Sequence, residues 1–313
     1  MNLSKESTRA TNVLFVGGGR RVSLAKRFLA KGCRLFSYEV DTNCPISEVA
    51  LIIPGLRWKD PKLQNHLQDT CENYDIKLVI PLQDEAIPLC CGLMARCPAS
   101  LEAARICFDK KAFENFLGGY SEYPIPHPAY NGRIIAKPRF GFNSRGISII
   151  DCIEGYSGDR ESTVFQRYIE GTEYSVDCYF NQDSDLVGYV PRQRIVVQGG
   201  EVIQSTTIHR SNPLYEKFGE FIARAFRRIG AVGPYCIQFI ENNGNIYVIE
   251  ANARFGGGVI LSLEAGFDIV TLILADYIWG FKTTPKGTPS WKESFSMTRY
   301  FSEHFYDDDS KVL

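Results

Sequence analysis

Residues 246–254 read IYVIEANAR, an apolar run that ends in a glutamate, an asparagine and an arginine spaced two apart. The branched and aromatic residues of this run predict a β-strand. Because side chains alternate between the two faces of a strand, Glu250 and Asn252 are expected on one face. Their oxygen atoms suit a hard cation, and Mg²⁺ in proteins is typically held by one or two carboxylates together with phosphate oxygens.

A second predicted strand, CIQFI at residues 236–240, precedes the first one and is separated from it by a short turn. The length of that turn determines whether Gln238 joins the face of Glu250. A two-residue turn would put Gln238 opposite Ile249, on the wrong face. A three-residue loop, NNG at residues 242–244 with its glycine in the left-handed conformation, would put Gln238 on the right face. We predict the three-residue loop.

Residues 137–146 read KPRFGFNSRG, which predicts a lysine at the end of a strand followed by a flexible loop. Small residues and residues that tolerate the left-handed conformation allow such a loop to fold over phosphates and to donate backbone N–H groups. Lys137 would add a point charge beside those phosphates. An ordinary hairpin loop is the alternative interpretation of the same segment.

Residues 164–173 read VFQRYIEGTE, an apolar strand that breaks at Gly171 and resumes with Glu173. An extended strand edge offers N–H and C=O groups to a flat heterocycle, and a carboxylate accepts hydrogen bonds from ribose hydroxyls. The alternative is a sheet strand whose polar residues face water. Each of these patterns is weak alone because short motifs produce false matches. Their combination, in this order on one chain, is hard to obtain by chance.

The first third of the chain alternates predicted strands and helices, which indicates a parallel sheet with helices on both faces. Right-handed crossovers then give a Rossmann-like half domain. From about residue 109 the pattern changes to a helix at residues 110–117, a proline-rich connector and then mostly strands. The chain is therefore predicted to be α/β in its first part and α+β in its second.

Three glycines, Gly17, Gly18 and Gly19, lie between a predicted strand and helix, where backbone N–H groups can bind an anion. A dinucleotide fingerprint would need a further glycine at position 22, which is Val22. An NAD-dependent dehydrogenase is therefore disfavoured. A tight strand–helix turn and a substrate-binding loop stay equally open as interpretations, because glycine suits both.

The overall composition excludes several classes of protein. The chain of 313 residues is long enough for two or three domains, and its formal net charge of −1 argues against a nucleic-acid or anionic-membrane partner. No apolar run is long enough to span a bilayer or to serve as a signal peptide. The ten cysteines form no CxxC pair and the four histidines have no ligand spacing. We therefore expect a cytoplasmic protein with reduced thiols and no zinc site.

The ordered motifs resemble those of the ATP-grasp superfamily, and most closely its carbamoyl-phosphate-synthetase-like branch, over about residues 109–280. The first third resembles the domain that usually precedes an ATP-grasp domain. The resemblance implies an ATP-grasp fold preceded by a Rossmann-like pre-ATP-grasp domain. The implied domains are residues 1–108 and 109–313, with a lid subdomain at about residues 130–168.

The resemblance assigns nucleotide binding to a lysine at a helix start, to the strand lysine, to the glycine-containing loop and to the segment that contacts adenine and ribose. These residues are Lys110, Lys137, Phe140, Ser144, Arg145, Gly146, Gln166, Arg167, Tyr168, Ile169 and Glu173. Within this set, residues 166–169 are the adenine hinge and Glu173 is the ribose-binding glutamate. The loop departs from the family pattern at Asn143, where glycine is usual, although asparagine tolerates the left-handed conformation.

The resemblance also assigns metal binding to Gln238, Glu250 and Asn252. A glutamine at the first of these positions, rather than an acid, is what indicates the carbamoyl-phosphate-synthetase-like branch. Arg254 matches the arginine that contacts the transferred phosphate. Either Arg192 or Arg194 would serve the acyl substrate. Three residues are therefore predicted to be catalytic, namely Arg254, Lys137 and Arg194.

The function that the resemblance implies is ATP-dependent ligation of a carboxylate to an amine, through an acyl phosphate, with release of ADP and phosphate. ATP and one or two Mg²⁺ ions are expected, with Mn²⁺ as an alternative metal. The partners are a small-molecule carboxylate and amine, and a homodimer is expected from the family. Two other functions remain open, a carboxylate or carbamate kinase that stops at the acyl phosphate and a non-catalytic nucleotide-binding module. The presence of Glu250, Asn252 and Arg254 together argues against the module, since adenine binding alone does not need them.

Overall fold

A computed structural model of the chain describes residues 10–127, 130–141, 146–285 and 290–306. By their internal contacts these residues fall into two compact units. The first unit comprises the chain as far as Pro98 together with residues 270–281 and the segment from Ser302. The second unit comprises residues 99–269 and 282–301. The domain boundary expected at residues 108–109 rests on the resemblance and stays a prediction.

The elements as far as residue 117 are β1 (Asn12–Val16), α1 (Val22–Leu29), β2 (Arg34–Glu39), a 3₁₀ turn (Pro45–Glu48), β3 (Leu51–Pro54), α2 (Leu63–Asn73), β4 (Leu78–Pro81), α3 (Ala86–Cys91), α4 (Leu101–Phe108) and α5 (Lys110–Leu117). Those that follow are β5 (Ile134–Pro138), β6 (Ser148–Ile150), β7 (Thr163–Arg167), β8 (Thr172–Phe180), β9 (Leu186–Gln198), β10 (Glu201–Thr207), α6 (Leu214–Arg227), β11 (Gly233–Asn242), β12 (Asn245–Asn252), α7 (Val259–Ala265), α8 (Ile269–Leu274), a π turn (Ala275–Trp279) and β13 (Ser296–Thr298). Within the described ranges, none of these helices is both long enough and apolar enough to cross a bilayer.

The first unit is built on a four-stranded sheet in the order β3-β2-β1-β4, in which every neighbouring pair is parallel. This confirms the parallel sheet that the alternation of strands and helices predicts. Strand β1 is buried on both faces. Leu14 and Val16 pack in a cluster with Leu67 of α2, whereas Phe15 makes an edge-to-face contact with Phe28 of α1 at 5.2 Å between ring centroids.

The second unit contains a six-stranded sheet in the order β12-β11-β8-β9-β10-β13 and a three-stranded sheet in the order β6-β5-β7. All neighbouring pairs in both sheets are antiparallel. Helix α6 covers one face of the larger sheet. Its Phe218 ring lies 5.4 Å from Tyr174 and 4.9 Å from Phe239, and its Phe226 ring lies 6.1 Å from Phe180. This apolar contact leaves the opposite face of the sheet to polar side chains.

The hairpin between β11 and β12 differs from the prediction. The residues that flank Asn243 and Gly244 pair with each other, so the turn has two residues, with φ of 50° and 77°. Asparagine followed by glycine favours this turn, and the predicted three-residue loop is wrong. A bulge at Ile249 nevertheless inserts an extra residue into β12, so that Gln238 lies directly opposite Glu250. The bulge, rather than the turn, brings the two side chains to one face.

Four elements of the second unit, α4, β10, α7 and β13, have no counterpart among the sequence predictions. Helix α4 begins after Ser100, whose hydroxyl accepts a hydrogen bond from the Ala103 N–H at 3.4 Å, a typical N-cap. Asp109 is both the C-cap residue of α4 and the N-cap residue of α5. Strand β13 pairs with the edge strand β10 and extends the larger sheet into a part of the chain that has little strand character in its sequence.

Candidate active site

A polar face forms on the side of the six-stranded sheet away from α6. Residues directly opposite each other on antiparallel strands share a face. Ser175 of β8 lies opposite Gln238 of β11, which in turn lies opposite Glu250 of β12. Because side chains alternate along β8, Glu173 and Asp177 project to the same side as Ser175. The predicted ribose-binding and metal-binding residues therefore share one surface.

The three residues predicted to bind metal lie together at the β11–β12 edge of this face. The Asn252 Nδ2 atom donates to Glu250 Oε1 at 3.4 Å, and Gln238 lies opposite Glu250. The described part of the chain contains no group of three His, Cys, Asp or Glu side chains placed to hold a metal ion. The set therefore offers one carboxylate and two amide oxygens, which suits Mg²⁺ when phosphate oxygens supply the remaining ligands.

Arg254 follows this set on the chain and contacts it. One guanidinium nitrogen donates to the Asn252 Oδ1 atom at 3.0 Å, and another donates to the Phe255 carbonyl oxygen at 3.1 Å. The charged guanidinium is thereby held beside the amide that contacts Glu250. This location agrees with the predicted role of Arg254 at a transferred phosphate, and that role stays a prediction.

Among the described residues of the nucleotide-binding set, Lys137 is the most buried cation, with an exposed fraction of 4%. Its Nζ atom donates to the Gln166 Oε1 atom at 2.6 Å. Burial lowers the pKa of Lys137 from 10.5 to about 8, although the nearby carboxylates Glu250 and Glu173 act in the opposite direction and Lys110 adds to the lowering. Lys137 therefore interacts through space with Lys110, Glu173 and Glu250, so the fold brings predicted phosphate-binding, ribose-binding and metal-binding residues near the same ammonium group.

Lys110 is the first residue of α5. Both Lys110 and the preceding residue, Asp109, contact residues at the start of the glycine-containing loop. The Lys110 Nζ atom donates to the Gly141 carbonyl oxygen at 2.9 Å. The preceding residue, Asp109, caps the helix by accepting from the Lys111 N–H at 2.9 Å, and it binds both ends of the Arg139 guanidinium at 2.6 and 2.8 Å. This arginine lowers the pKa of Asp109. The Asp109-Lys110 pair of the sequence motif therefore anchors the loop.

The loop itself is described only at its two ends. Phe140 is half-exposed and packs against the Phe108 ring at 5.5 Å. Gly146 has φ of 72°, and a Cβ atom there would lie 2.9 Å from the Pro138 ring, so this position requires glycine. Ser144 and Arg145, which are predicted to contact phosphate, lie outside the described residues.

The segment predicted to bind adenine runs from the end of β7 towards Gly171. The Arg167 N–H donates to the Pro124 carbonyl oxygen at 2.8 Å, and the Tyr168 N–H donates to the Arg133 carbonyl oxygen at 2.9 Å. Among the hydrogen bonds of the described residues, none uses the backbone N–H of Ile169. A strand edge with a free donor is what a flat heterocycle needs.

The side chains of this segment point in two directions. Gln166 turns inward to Lys137, whereas the Arg167 guanidinium lies 5.6 Å from the Tyr247 ring centroid and 6.0 Å from that of Tyr130. The Tyr168 ring stacks under the Arg133 guanidinium at 4.3 Å. Of these side chains, only Gln166 therefore contacts the predicted phosphate-binding lysine.

The two arginines on β9 have different surroundings. Arg192 is 1% exposed and forms an ion pair with the buried Asp177 at 2.6 Å, so it is part of the core. Arg194 pairs with Glu173 at 3.0 Å and donates to the Gly200 carbonyl oxygen at 3.0 Å. Of the two candidates for the acyl substrate, Arg194 is the one that adjoins the predicted ribose-binding residue.

Two buried polar residues of this region were not identified from the sequence. Asp177 accepts hydrogen bonds from Arg192 and, at 2.6 Å, from the Ser262 hydroxyl. The alternation of polar and apolar residues in TEYSVDCYF of β8 is a signal that could have found it. Tyr123 hydrogen-bonds the Gln166 side chain. It lies in a proline-rich connector without periodicity, so no pattern pointed to it.

The N-terminal glycine cluster belongs to the first unit, where its backbone donors have a partner inside the protein. The Gly19 N–H donates to the Glu39 carboxylate at 3.0 Å, and the Ser37 hydroxyl donates to the same oxygen at 2.6 Å. Burial raises the pKa of Glu39. A Cβ atom on Gly18 would lie 2.5 Å from the Ser37 hydroxyl. These contacts favour the tight-turn interpretation over an anion-binding loop.

Comparison with known proteins gives a family match that lies within the second unit. A family model described as the ATP-grasp domain matches residues 107–258. The carbamoyl phosphate synthase large chain of Agathobacter rectalis is 28% identical over an alignment of 174 residues, and the match covers 50% of this chain and 16% of that protein. The chain thus spans about a sixth of the length of this relative.

Similar folds occur among solved structures. The N5-carboxyaminoimidazole synthetase of Staphylococcus aureus has a TM-score of 0.71 at 16% identity, over 90% of this chain and 80% of that one. The biotin carboxylase domain of the 2-oxoglutarate carboxylase of Hydrogenobacter thermophilus, a dimer in complex with MgADP, ADP and bicarbonate, has a TM-score of 0.67 at 13% identity. It covers 84% of this chain and 68% of that one.

The family match and the fold similarity agree with the resemblance that the motifs indicate. They confirm an ATP-grasp fold with mixed α/β content. Residues 107–258 are therefore an ATP-grasp domain, and the chain is similar in sequence to carbamoyl phosphate synthase large chains.

Proposed function

We propose that the protein is an ATP-dependent ligase that phosphorylates a carboxylate and joins the resulting acyl group to an amine. A carboxylate oxygen attacks the γ-phosphorus of ATP, the bond to the β-γ bridging oxygen breaks, and ADP leaves. The amine then attacks the carbonyl carbon of the acyl phosphate, inorganic phosphate leaves, and the nitrogen loses a proton. The mixed anhydride is needed because a free carboxylate repels nucleophiles and has a poor leaving group.

One observation carries the proposal. The buried Lys137 ammonium is hydrogen-bonded to the neutral amide of Gln166, and it interacts through space with Glu250, Glu173 and Lys110. Phosphoryl transfer depends mainly on positioning and on neutralising oxygen charge. Lys110 and Lys137 would bind the phosphates, the segment around Ile169 would bind adenine, and Glu173 would bind the ribose. Arg254 would neutralise the phosphoryl group as it moves.

The oxygen ligands of Gln238, Glu250 and Asn252 would hold Mg²⁺ against the phosphates. Bound there, the ion would neutralise the charge that develops on the phosphate oxygens. The number of ions and the use of Mn²⁺ in its place remain part of the proposal. Support for ATP and magnesium comes from the fold neighbour from Hydrogenobacter thermophilus, whose structure contains MgADP.

The second candidate is a carboxylate or carbamate kinase that stops at the acyl phosphate. The similarity to carbamoyl phosphate synthase large chains favours it. The two functions differ in their need for the amine. A ligase turns over ATP in steady state only when acid and amine are both present, whereas a kinase needs the acid alone. A non-catalytic nucleotide-binding module would bind ATP without turnover in either case.

The remaining parts of the proposal concern the protein as a whole. We propose that the parallel sheet of the first unit is a Rossmann-like pre-ATP-grasp domain and that residues 130–168 form a lid subdomain. A homodimer and a cytoplasmic location are expected as well. The cytoplasmic location agrees with the ten cysteines, each of which is a free thiol.

The test is a screen of amino acids and small carboxylates for the release of ADP and phosphate from ATP in the presence of Mg²⁺. In a condition that supports turnover, Glu250→Gln should lower the rate by at least about 100-fold, because it removes the one carboxylate of the metal set. Glu216→Gln, an exposed glutamate on α6, is the matched control and should keep full activity. Full activity in Glu250→Gln would refute the assignment of the metal site.

A further inference from the structure

The Lys137 ammonium has an unusual partner for a buried cation. Within the described residues its hydrogen bond goes to the amide oxygen of Gln166 at 2.6 Å, and no ion pair involves it. A buried cation is ordinarily paired with a carboxylate in direct contact. Here the amide satisfies one ammonium hydrogen and leaves the positive charge unneutralised.

The Gln166 amide is itself held in place from the core. Its exposed fraction is 2%, and its side chain is also hydrogen-bonded to the phenol of Tyr123. Tyr123 is buried and packs edge-to-face on Phe113 of α5, with 6.1 Å between ring centroids and an interplanar angle of 82°. A chain of contacts therefore runs from a packed aromatic pair through the amide to the ammonium.

The charged groups that face Lys137 come from three other elements. Glu250 lies on β12, Glu173 on β8 and Lys110 on α5, and each influences the ammonium through space. Tyr123 contributes no charge near neutral pH, because burial raises its pKa. The group in closest contact with Lys137 is thus neutral, while the acids lie farther away.

We propose that Gln166 is a positioning residue whose side chain fixes the Lys137 ammonium for a nucleotide polyphosphate while leaving its charge free to act on the phosphates. This rests on the proposed function, because it takes the ligand to be ATP or ADP. A glutamate at the same position would orient the ammonium equally well but would neutralise it. A side chain without an amide would leave the charge but lose the orientation.

Two variants separate these effects. Gln166→Glu keeps the shape and adds a carboxylate next to Lys137, so we expect ADP affinity at pH 7 to fall about tenfold or more. The added charge also holds the ammonium protonated to higher pH. ADP affinity in the unaltered protein should therefore weaken as the pH rises through about 8, the value to which burial lowers the pKa of Lys137, whereas in Gln166→Glu it should change little up to pH 9.

Tyr123→Phe removes only the hydroxyl that restrains Gln166. It should weaken ADP binding by a few-fold and keep the pH dependence of the unaltered protein, because the charges around Lys137 are unchanged. This variant keeps the aromatic contact with Phe113. It therefore tests the inference even if Gln166→Glu does not fold. Gln198→Glu, an exposed glutamine on β9, is the control for the added charge and should bind ADP like the unaltered protein.

The measurement is isothermal titration calorimetry of the full chain with ADP between pH 7 and pH 9, in EDTA so that metal binding at Glu250 does not contribute. Unchanged affinity and unchanged pH dependence in Gln166→Glu would overturn the inference while leaving the nucleotide site intact. Affinity for ADP in Tyr123→Phe equal to that of the unaltered protein would overturn the chain of contacts. Absence of ADP binding to the unaltered protein would instead overturn the proposed function, and this inference with it.

Discussion

Replacing Lys137 by methionine should make the nucleotide-free protein more stable at pH 7. Lys137 is almost fully buried, and burial lowers its pKa from 10.5 to about 8. At about 1.4 kcal/mol for each pKa unit, this difference disfavours the charged form in the folded state by about 3 kcal/mol. Loss of the hydrogen bond to Gln166 reduces this gain in stability by about 1 kcal/mol. The variant, similar in length and uncharged, should therefore gain about 2 kcal/mol in free energy of unfolding.

The stability gained in Lys137→Met should depend on pH, and the pKa of the lysine determines the direction of that dependence. The lysine ionises at about 8 in the folded protein and at 10.5 in the unfolded chain. Between these values the unfolded state holds more protons, so the stability contributed by this group rises with pH. The stability associated with the neutral lysine is fully present above pH 10.5, where the amine is uncharged in both states. It is lost as the pH falls through about 8, because the folded protein must then hold the buried charge. The advantage of Lys137→Met should therefore be complete below pH 8 and should shrink as the pH rises towards 10.

Thermal unfolding without nucleotide, at pH 7 and at pH 9.5, measures this difference. We expect a midpoint several degrees higher than that of the unaltered protein at pH 7 and a smaller gain at pH 9.5. Lys26→Met, an exposed lysine on α1, is the control and should change the midpoint little at either pH. A Lys137→Met variant that is less stable at pH 7, or whose gain is the same at both pH values, would refute the reasoning.

Three further substitutions test the contacts that support the polar face. Asp177→Asn leaves the buried Arg192 guanidinium without its counter-charge, so urea unfolding should show a loss of about 3–5 kcal/mol. Ser262→Ala removes one hydrogen bond from the same carboxylate and should lose only about 1 kcal/mol; equal losses in the two variants would contradict the ion-pair argument. Gly171→Ala places a Cβ atom onto the Glu241 carbonyl oxygen, and we expect a loss of about 1–3 kcal/mol in the same assay. An unchanged unfolding midpoint for Gly171→Ala would show that the strands can separate there without cost.

Part of the polar face was predictable from the sequence, because that part depends on local periodicity. Glu250 and Asn252 share a face through the two-residue repeat of a strand, and the same repeat in β8 places Glu173 and Asp177 together. The helix start at Asp109 was predictable for a similar reason, since an acidic N-cap acts on the next few backbone N–H groups. In each case the signal lies within about one turn or one strand.

What could not be predicted depends on contacts between segments distant in sequence. The two-residue turn at Asn243 would by itself have separated Gln238 from Glu250, and the bulge at Ile249 reverses that outcome. Bulges have no reliable local signature, because they depend on how the partner strands fit. The sequence also could not show that Arg192 is a core residue whereas Arg194 lies beside the predicted ribose-binding residue. This difference depends on their ion pairs with Asp177 and Glu173, which come from another strand.

Two buried cations in the second unit differ in their partners, and the difference indicates which cation stabilises the fold and which is available to a ligand. Arg192 is in direct contact with the carboxylate of Asp177 at 2.6 Å, so its charge is neutralised without any ligand, although its buried Nη1 atom has no hydrogen-bond partner within the described residues. Lys137 is nearly as buried, yet its contact is an amide, and its pKa is lowered. At neutral pH, a charge held in this way carries an unfavourable free energy that an incoming anion would relieve. Binding of a polyphosphate would supply that anion, and the free energy released would then contribute to nucleotide affinity rather than to folding.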